Sequence, residues 1–260
     1  MGASQLDVSV VVPVLNEEDN VLPLIDELVG ALKAVPNHEI LFINDGSTDG
    51  TLARLRGAMA RVPEMRVLCH ERACGKSEAL RTAARQARGR VIVTIDGDLQ
   101  NDPADIPRLV EAFFAAERNG MNPPPGIVAG QRVMRIDPFP RNLVSKIANG
   151  VRGAILKDGT RDTGCGFKVI RRDVFLALPF SSGVHRFLPA FVKREGFSIL
   201  LEPVNHRPRI AGVAKYNTWN RLWVGIGDMA AAWWLIKRYK APRRYVVVHA
   251  DGKDETCSAL

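Results

Sequence analysis

Between Val8 and Ala129 the chain alternates two patterns: short apolar, largely β-branched runs, and longer stretches with apolar residues three and four apart. The short runs predict strands at Val8–Val14, Glu39–Asn44, Arg66–Cys69, Val91–Ile95 and Ile127–Ala129. The longer stretches predict helices over 18–34, 49–61, 76–88 and 104–119. This βαβα rhythm predicts an α/β fold, a mostly parallel sheet flanked by helices on both faces. The run Asn122-Pro123-Pro124-Pro125-Gly126 interrupts the chain before the fifth strand. Farther on, the pattern predicts a helix over 138–157, a strand at Cys165–Ile170, a helix at Phe187–Arg194 and a strand at Ile199–Val204. A Pro/Arg/Gly loop over 206–216, an amphipathic helix around 218–239 and a short strand-like run from Arg244 to His249 complete the chain. Nothing repeats, so the economical division is one domain over 1–217 and an appendage over 218–260.

A chain of 260 residues, 46% hydrophobic and 25% charged, can bury a full core, which excludes wholesale disorder. Its four cysteines, Cys69, Cys74, Cys165 and Cys257, form no C-x-x-C pair, so neither a disulfide framework nor a zinc site is implied. They are expected as reduced thiols, two or three of them buried. The start of the chain runs into the first strand without a basic leader or cleavage site, so no secretory segment is expected. No run of about 18 apolar residues is present to span a membrane as an ordinary helix. The net charge of +8 is localised: from His206 to Arg244 there are nine Lys and Arg residues and one acid, Asp228. Such a basic tail points to an anionic partner, whether lipid, nucleic acid or phosphorylated substrate.

The strand ends carry the candidate chemistry. Val91–Ile95 runs straight into Asp96-Gly97-Asp98. Ligands of open α/β sheets bind at the carboxyl ends of strands. Two carboxylates one residue apart there repel unless a cation neutralises them, and Mg²⁺ or Mn²⁺ takes such oxygens while bridging to phosphate. The expectation is a metal–diphosphate site. The first strand ends in Asn16-Glu17-Glu18 and the second in Asn44-Asp45-Gly46-Ser47-Thr48-Asp49, on the same edge. Glu17 and Asp45 can accept from a base or ribose, whereas Asp49 is expected to cap the helix that begins near Thr51. The G-x-G-x-x-G and G-x-x-x-x-G-K-[ST] patterns are missing, which argues against dinucleotide oxidoreductases and P-loop enzymes. Cys74-Gly75-Lys76-Ser77 has a P-loop ending without its first glycine, and Lys76 is placed to meet a nucleotide or to stand solvated.

VVPVLNEEDN, ILFINDGSTDGT and TIDGDLQNDP, taken together, resemble glycosyltransferase family 2, in particular the dolichol-phosphate mannose synthases and bacterial polyprenyl-phosphate sugar synthases. The resemblance continues through Gly130-Gln131-Arg132, Asp162-Thr163-Gly164-Cys165-Gly166-Phe167, and His206-Arg207-Pro208-Arg209 with Gly212-Val213-Ala214-Lys215-Tyr216, and covers about residues 7–240. It implies a nucleotide-sugar-binding, Rossmann-like GT-A fold. By that resemblance Pro13, Leu15, Glu17 and Asp45 would hold the nucleoside. Asp96, Asp98 and Gln100 would surround the metal, Mg²⁺ or Mn²⁺, and the diphosphate. Arg132 matches an arginine that meets the acceptor phosphate, Arg209 and Lys215 match basic residues that close over phosphates, and Asp162 matches an acid near the acceptor. Leu15 and Ala214 depart from the aromatic and the serine common at those positions.

The resemblance implies an inverting transfer from a nucleoside-diphosphate sugar to a polyprenyl (dolichyl or undecaprenyl) phosphate. A phosphate oxygen is already anionic at neutral pH, so no strong base is required, and the site must instead supply positive charge. Asp162 would then orient an acceptor or sugar group; with a hydroxyl acceptor on a polysaccharide, lipid or protein it becomes the base. Trp219, Leu222, Trp223, Ile226, Met229, Trp233 and Trp234 recur at helical spacing, and basic residues follow. This pattern suits a helix lying on an anionic membrane surface, and the enzyme is expected as a peripheral protein on the cytoplasmic face. The alternatives for this helix are packing on the domain and a face between two copies in a homodimer. A nucleotidyltransferase would carry a glycine-rich basic loop where Asn16-Glu17-Glu18 stands. Nucleic acid is not an expected partner, because the acidic strand ends repel phosphates.

Overall fold

In this computed structural model the described residues are 6–133, 153, 156, 158–208, 218–238, 244–247 and 255–258. Seven strands form one sheet: β1 (Val8–Val14), β2 (His38–Asn44), β3 (Met65–Cys69), β4 (Val91–Thr94), β5 (Pro125–Arg132), β6 (Lys168–Arg171) and β7 (Ser198–Val204). Their order is β3-β2-β1-β4-β6-β5-β7. β1 pairs in parallel with β2 and β4, β2 with β3, and β5 with β7. β6 alone runs antiparallel, between β4 and β5. Each parallel crossover is bridged by helix: α1 (Glu18–Leu32), α2 (Thr51–Met59), α3 (Lys76–Gln86) and α4 (Ile106–Arg118).

Side chains alternate across a strand, and the two faces of this sheet bury separate cores. Val8, Val10, Val12 and Val14 of β1 pack with Leu24, Ile25 and Leu28 of α1 and Phe113 of α4. Val11 faces the other way, with Ala79, Ala83 and Ala84 of α3 and Leu188 and Phe191 of α6 (Leu188–Arg194). Each such fully buried large aliphatic or aromatic side chain contributes roughly 1.5–3 kcal/mol.

The expected elements are present with shifted ends. α2 begins at Thr51 with Gly50, not Asp49, at its N-cap; Asp49, one residue earlier, supports the turn instead: its carboxylate accepts the Thr51 N–H at 3.0 Å and the Glu18 N–H at 3.3 Å, joining the starts of two helices. Burial would raise the Asp49 carboxyl, but these hydrogen bonds hold it below its ordinary value. The strand expected at Cys165–Ile170 is displaced: Cys165, Gly166 and Phe167 are loop, and β6 occupies Lys168–Arg171. A short helix, α5 (Arg172–Ala177), follows it unannounced by periodicity. The strand-like run expected from Arg244 to His249 is β8 (Arg244–Val247), which pairs antiparallel with β9 (Glu255–Ser258). Of the helix expected over 138–157 only residues 153 and 156 are described, both helical, and of the loop expected over 206–216 only 206–208 are; the rest lie outside the described residues. Cys165 is buried, whereas Cys69 and Cys74 are exposed, so at most two of the four thiols are internal.

The last helix, α7 (Thr218–Arg238), divides its faces. Ala232 is buried in the second core, with Met229, Leu235 and Ile236 packed against it. Trp233 and Trp234 point away, 42% and 51% exposed, with Lys237 and Arg238 over their rings at 5.0 and 5.4 Å. The single stripe expected from spacing is therefore two: Met229 belongs to the packed face and the two tryptophans to the outer one. The side chains of Trp219, Leu222, Trp223 and Ile226 lie outside the described set. Among the described residues no helix is long and apolar enough to cross a membrane.

Candidate active site

Six strands of one polarity place their carboxyl ends on one edge, and antiparallel β6 sends the loop before it to that same edge. A cleft of about 620 Å³ opens there. It gathers Pro13, Leu15 and Glu17 from the end of β1, Asp45 from β2, Asp96, Asp98 and Gln100 from the turn after β4, and Arg132 from β5. Asp162 is buried beside the cleft and reaches it through Arg132. Eight positions singled out by the sequence thus line one cavity. Arg209 and Lys215 lie outside the described residues.

The β2 wall is built around Asp45. Its carboxylate accepts the backbone N–H of Cys74 at 2.9 Å and of Gly75 at 2.8 Å, and meets His70 Nδ1 at 2.7 Å. His70 Nε2 lies 2.9 Å from Thr82 Oγ1. His70 has no motif around it in the sequence, yet it fixes the orientation of this acid. Gly46, at φ +72°, allows the approach of the 72–73 backbone: a Cβ there would lie 2.5 Å from the Arg72 carbonyl carbon. Asp45, His70 and Cys74 also bring an oxygen, a nitrogen and a sulfur within 4.8 Å of one another, a spacing that could hold a metal ion. The two amide donors already on the carboxylate suit an oriented hydrogen-bond acceptor better than an ion ligand.

The β4 turn carries two carboxylates and an amide. Leu99 sits between Asp98 and Gln100 at φ +60°, a left-handed conformation that costs a leucine about 1 kcal/mol or more. Its side chain is buried in the first core, which offsets that cost and turns both flanking polar side chains toward the cleft. Opposite them, a Cβ at Gly166 would lie 2.4–2.6 Å from the carboxylate atoms of Asp96. The turn is stitched to the end of β7: Arg207 N–H donates to the Gln100 carbonyl at 2.8 Å, and the Arg207 guanidinium pairs with Asp102 and Glu27, both at 2.7 Å. An antiparallel bridge between Asn101 and His206 brings His206 to the cleft wall, a placement its loop composition does not announce. Hard oxygen donors from Asp96, Asp98 and Gln100 around one cavity fit a divalent cation such as Mg²⁺ or Mn²⁺.

Positive charge comes from three sides. Lys76, at the start of α3, donates to Asp96 Oδ1. Burial would raise the Asp96 carboxyl; the Lys76 ammonium, with Lys168 adding to it, overcomes it and holds the group ionised below its ordinary range. Arg132 is clamped by Asp162 in a two-pronged pair, Nε to Oδ2 at 2.5 Å and Nη2 to Oδ1 at 2.8 Å. Asp162 is held in turn by Gln131, whose Oε1 accepts the N–H groups of residues 161 and 162 at 3.1 and 3.0 Å. The sequence offered Asp162 as a group near the acceptor; the fold makes it the carboxylate that aims Arg132. Arg186, in the turn before α6, pairs with Asp228 of α7 at 3.3 Å.

Lys168 lies under the floor, 3% exposed, donating to the Cys165 carbonyl. Burial pushes its ammonium down from 10.5 to about 8, with Lys76 adding to the effect and Asp96 and Asp162 opposing it. Between those two values the unfolded chain holds a proton that the native state has shed, so stability rises with pH. The unfolding free energy of wild type relative to Lys168→Met is expected to increase from pH 8 to pH 10.5, by at most about 3 kcal/mol. A pH-independent difference between the two proteins would overturn the assignment.

The family model for glycosyl transferase family 2 matches residues 9–178. Dodecaprenyl-phosphate galacturonate synthase of Rhizobium johnstonii is 35% identical over 241 residues, 91% of this chain and 69% of that protein. Undecaprenyl-phosphate 4-deoxy-4-formamido-L-arabinose transferase of Pectobacterium carotovorum is 32% identical over 214 residues, 81% of this chain. This chain spans 63% of that second relative's length. Among solved structures, glucosyl-3-phosphoglycerate synthase from Mycobacterium tuberculosis, in complex with Mn²⁺, uridine diphosphate and phosphoglyceric acid, superposes with a TM-score of 0.66. That match covers 98% of this chain and 88% of the other at 20% identity, a likeness of fold.

Proposed function

The chain belongs to glycosyl transferase family 2, and from that premise we propose that it moves a sugar from a nucleoside diphosphate to a polyprenyl phosphate, with inversion at the anomeric carbon. The relatives named above, a dodecaprenyl-phosphate and an undecaprenyl-phosphate sugar transferase, support that acceptor class. The observation that carries the reading is a single cleft lined by the acids of β1, β2 and β4 and by Arg132 aimed from β5.

In this reading Pro13, Leu15, Glu17 and Asp45 seat the nucleoside, and Asp96, Asp98 and Gln100 hold Mg²⁺ or Mn²⁺. When bound, that ion withdraws charge from the departing diphosphate as a Lewis acid. Arg132 takes the acceptor phosphate and sets its oxygen in line with the anomeric carbon. The attacking oxygen is already ionised, so Asp162 need not remove a proton. Its two-pronged pair with Arg132 keeps a planar, permanently charged fork in place. Arg209 and Lys215 are assigned to closing over the phosphates by the motif they share with the family.

The enzyme would meet its lipid as a peripheral protein on the cytoplasmic face. The outer face of α7, with two exposed tryptophans under Lys237 and Arg238, suits the headgroup region of an anionic bilayer. The test is transfer from a panel of UDP- and GDP-sugars with Mg²⁺ or Mn²⁺ to undecaprenyl phosphate in anionic vesicles. A lipid-linked sugar from one donor is expected, with the protein sedimenting with the vesicles and Trp233→Ser/Trp234→Ser sedimenting less. Metal-dependent donor binding without lipid product would move the assignment to a hydroxyl acceptor. Unchanged sedimentation of the double variant would make α7 purely structural.

A further inference from the structure

The Lys76–Asp96 pair sits where a divalent ion would have to sit. Both side chains are partly open to the cleft, at 29% and 31% exposure. Asp96 has little room to turn away, because Gly166 closes on its far side. Lys76 is fixed from below by its neighbour Ser77, which is buried. Ser77 Oγ lies 2.7 Å from His185 Nδ1 and faces the His185 backbone N–H at 3.5 Å. An oxygen that accepts from that N–H has its own proton to give to Nδ1, which suits a neutral imidazole. Burial, reinforced by the Lys76 and Arg186 charges, keeps His185 neutral well below its ordinary titration range. The His185 turn is braced by α7: a Cβ at Gly183 would lie 2.3 Å from the Asp228 carboxylate, which also pairs with Arg186.

Lys76 is thus a held cation on one of the carboxylates assigned to the metal. A divalent ion arriving alone meets a like charge beside the carboxylate it must bind, and is repelled. A nucleoside diphosphate arriving with the ion brings negative charge that the ammonium can turn to. We propose that Lys76 is a counter-ion switch. It neutralises Asp96 while the donor is absent, and it passes to the diphosphate when nucleotide and metal enter together, making tight metal binding conditional on nucleotide. This rests on the assignment of the metal to Asp96, Asp98 and Gln100. His185 is a positioning residue that holds the start of α3 so that the ammonium reaches both partners.

The test is the affinity for Mn²⁺, read from the electron paramagnetic resonance signal of the free ion, with and without UDP or GDP. In wild type the nucleotide should raise Mn²⁺ affinity at least about tenfold. In Lys76→Met, bare Mn²⁺ should bind about tenfold tighter and the nucleotide–Mn²⁺ complex weaker, so the enhancement collapses. A damaged fold weakens both and cannot move them in opposite directions. His185→Ala should shift both affinities the same way by a smaller factor, and His185→Asn, whose Oδ1 can stand where Nδ1 stands, should restore them. Bare-metal affinity unchanged or lower in Lys76→Met, with the enhancement intact, overturns the switch alone. If wild type binds no Mn²⁺ under either condition, the metal assignment itself fails and the switch with it.

Discussion

Asp98→Ala is expected to abolish turnover, lowering kcat/KM by about 10³-fold or more, the equivalent of roughly 4 kcal/mol in transition-state stabilisation. The side chain projects from a turn held open by Leu99 in a left-handed conformation and stitched to β7 through Arg207. Truncating it removes one of two carboxylates from the assigned metal set without disturbing the core that anchors Leu99. Donor binding should lose its dependence on Mg²⁺ or Mn²⁺, which titration calorimetry with and without the ion measures. Asp98→Asn keeps the shape and removes the charge, so it should fall close to the alanine variant. Normal turnover in either variant, with metal-dependent donor binding intact, would remove Asp98 from the metal site.

Arg132→Ala is expected to leave donor affinity within about twofold while lowering kcat by about 10²–10³-fold, the scale for losing one charge-stabilising donor in a closed site. The loss arises because a guanidinium fork that meets the acceptor phosphate is replaced by nothing, while Asp162 loses its two-pronged pair. Removing one partner of this largely buried pair costs stability as well, by less than the about 3–5 kcal/mol of a fully buried one. Arg132→Lys separates the two effects. It retains the positive charge beside Asp162 but loses the two-pronged geometry, so stability should largely return while turnover stays low. Donor binding that weakens in step with turnover would transfer Arg132 to the donor side of the cleft. Recovery of full activity by lysine would show that charge alone, not aim, is what the position supplies.

Much of the sheet was legible in the sequence because its signals are local. A strand buried on both faces reads as a largely apolar run, β-branched in β1 and β4 and Ile-Leu-Phe-Ile in β2. The acids at their ends stood out because a turn with carboxylates after such a run has few structural uses. β6 was misplaced because Cys165-Gly166-Phe167 is apolar for a different reason: Cys165 and Gly166 line the cleft and Phe167 packs in the core, its carbonyl accepting the Gly130 N–H at the end of the pairing. The helical period of α7 was visible, but not which residues face the domain, because aromatic and aliphatic positions alternate around it. Ala232, a small residue without apparent weight in the sequence, marks the packed side.

What the sequence determined by itself was the parallel strands β1 to β5 and the presence of Asp96, Asp98, Asp45 and Glu17 at one edge. These follow from periodicity and from turns a few residues long. Only the tertiary structure decided which groups act on one another there. Arg132 and Asp162 are thirty positions apart and meet because β6 inserts antiparallel beside β5. Ser77 and His185 are separated by 108 and meet because the turn before α6 packs on the start of α3. His70 on Asp45 and Lys76 on Asp96 likewise join different strand ends. Such pairs depend on how the loops are folded onto a common edge, and a single side chain at the end of a long loop leaves no periodic trace of the partner it will find.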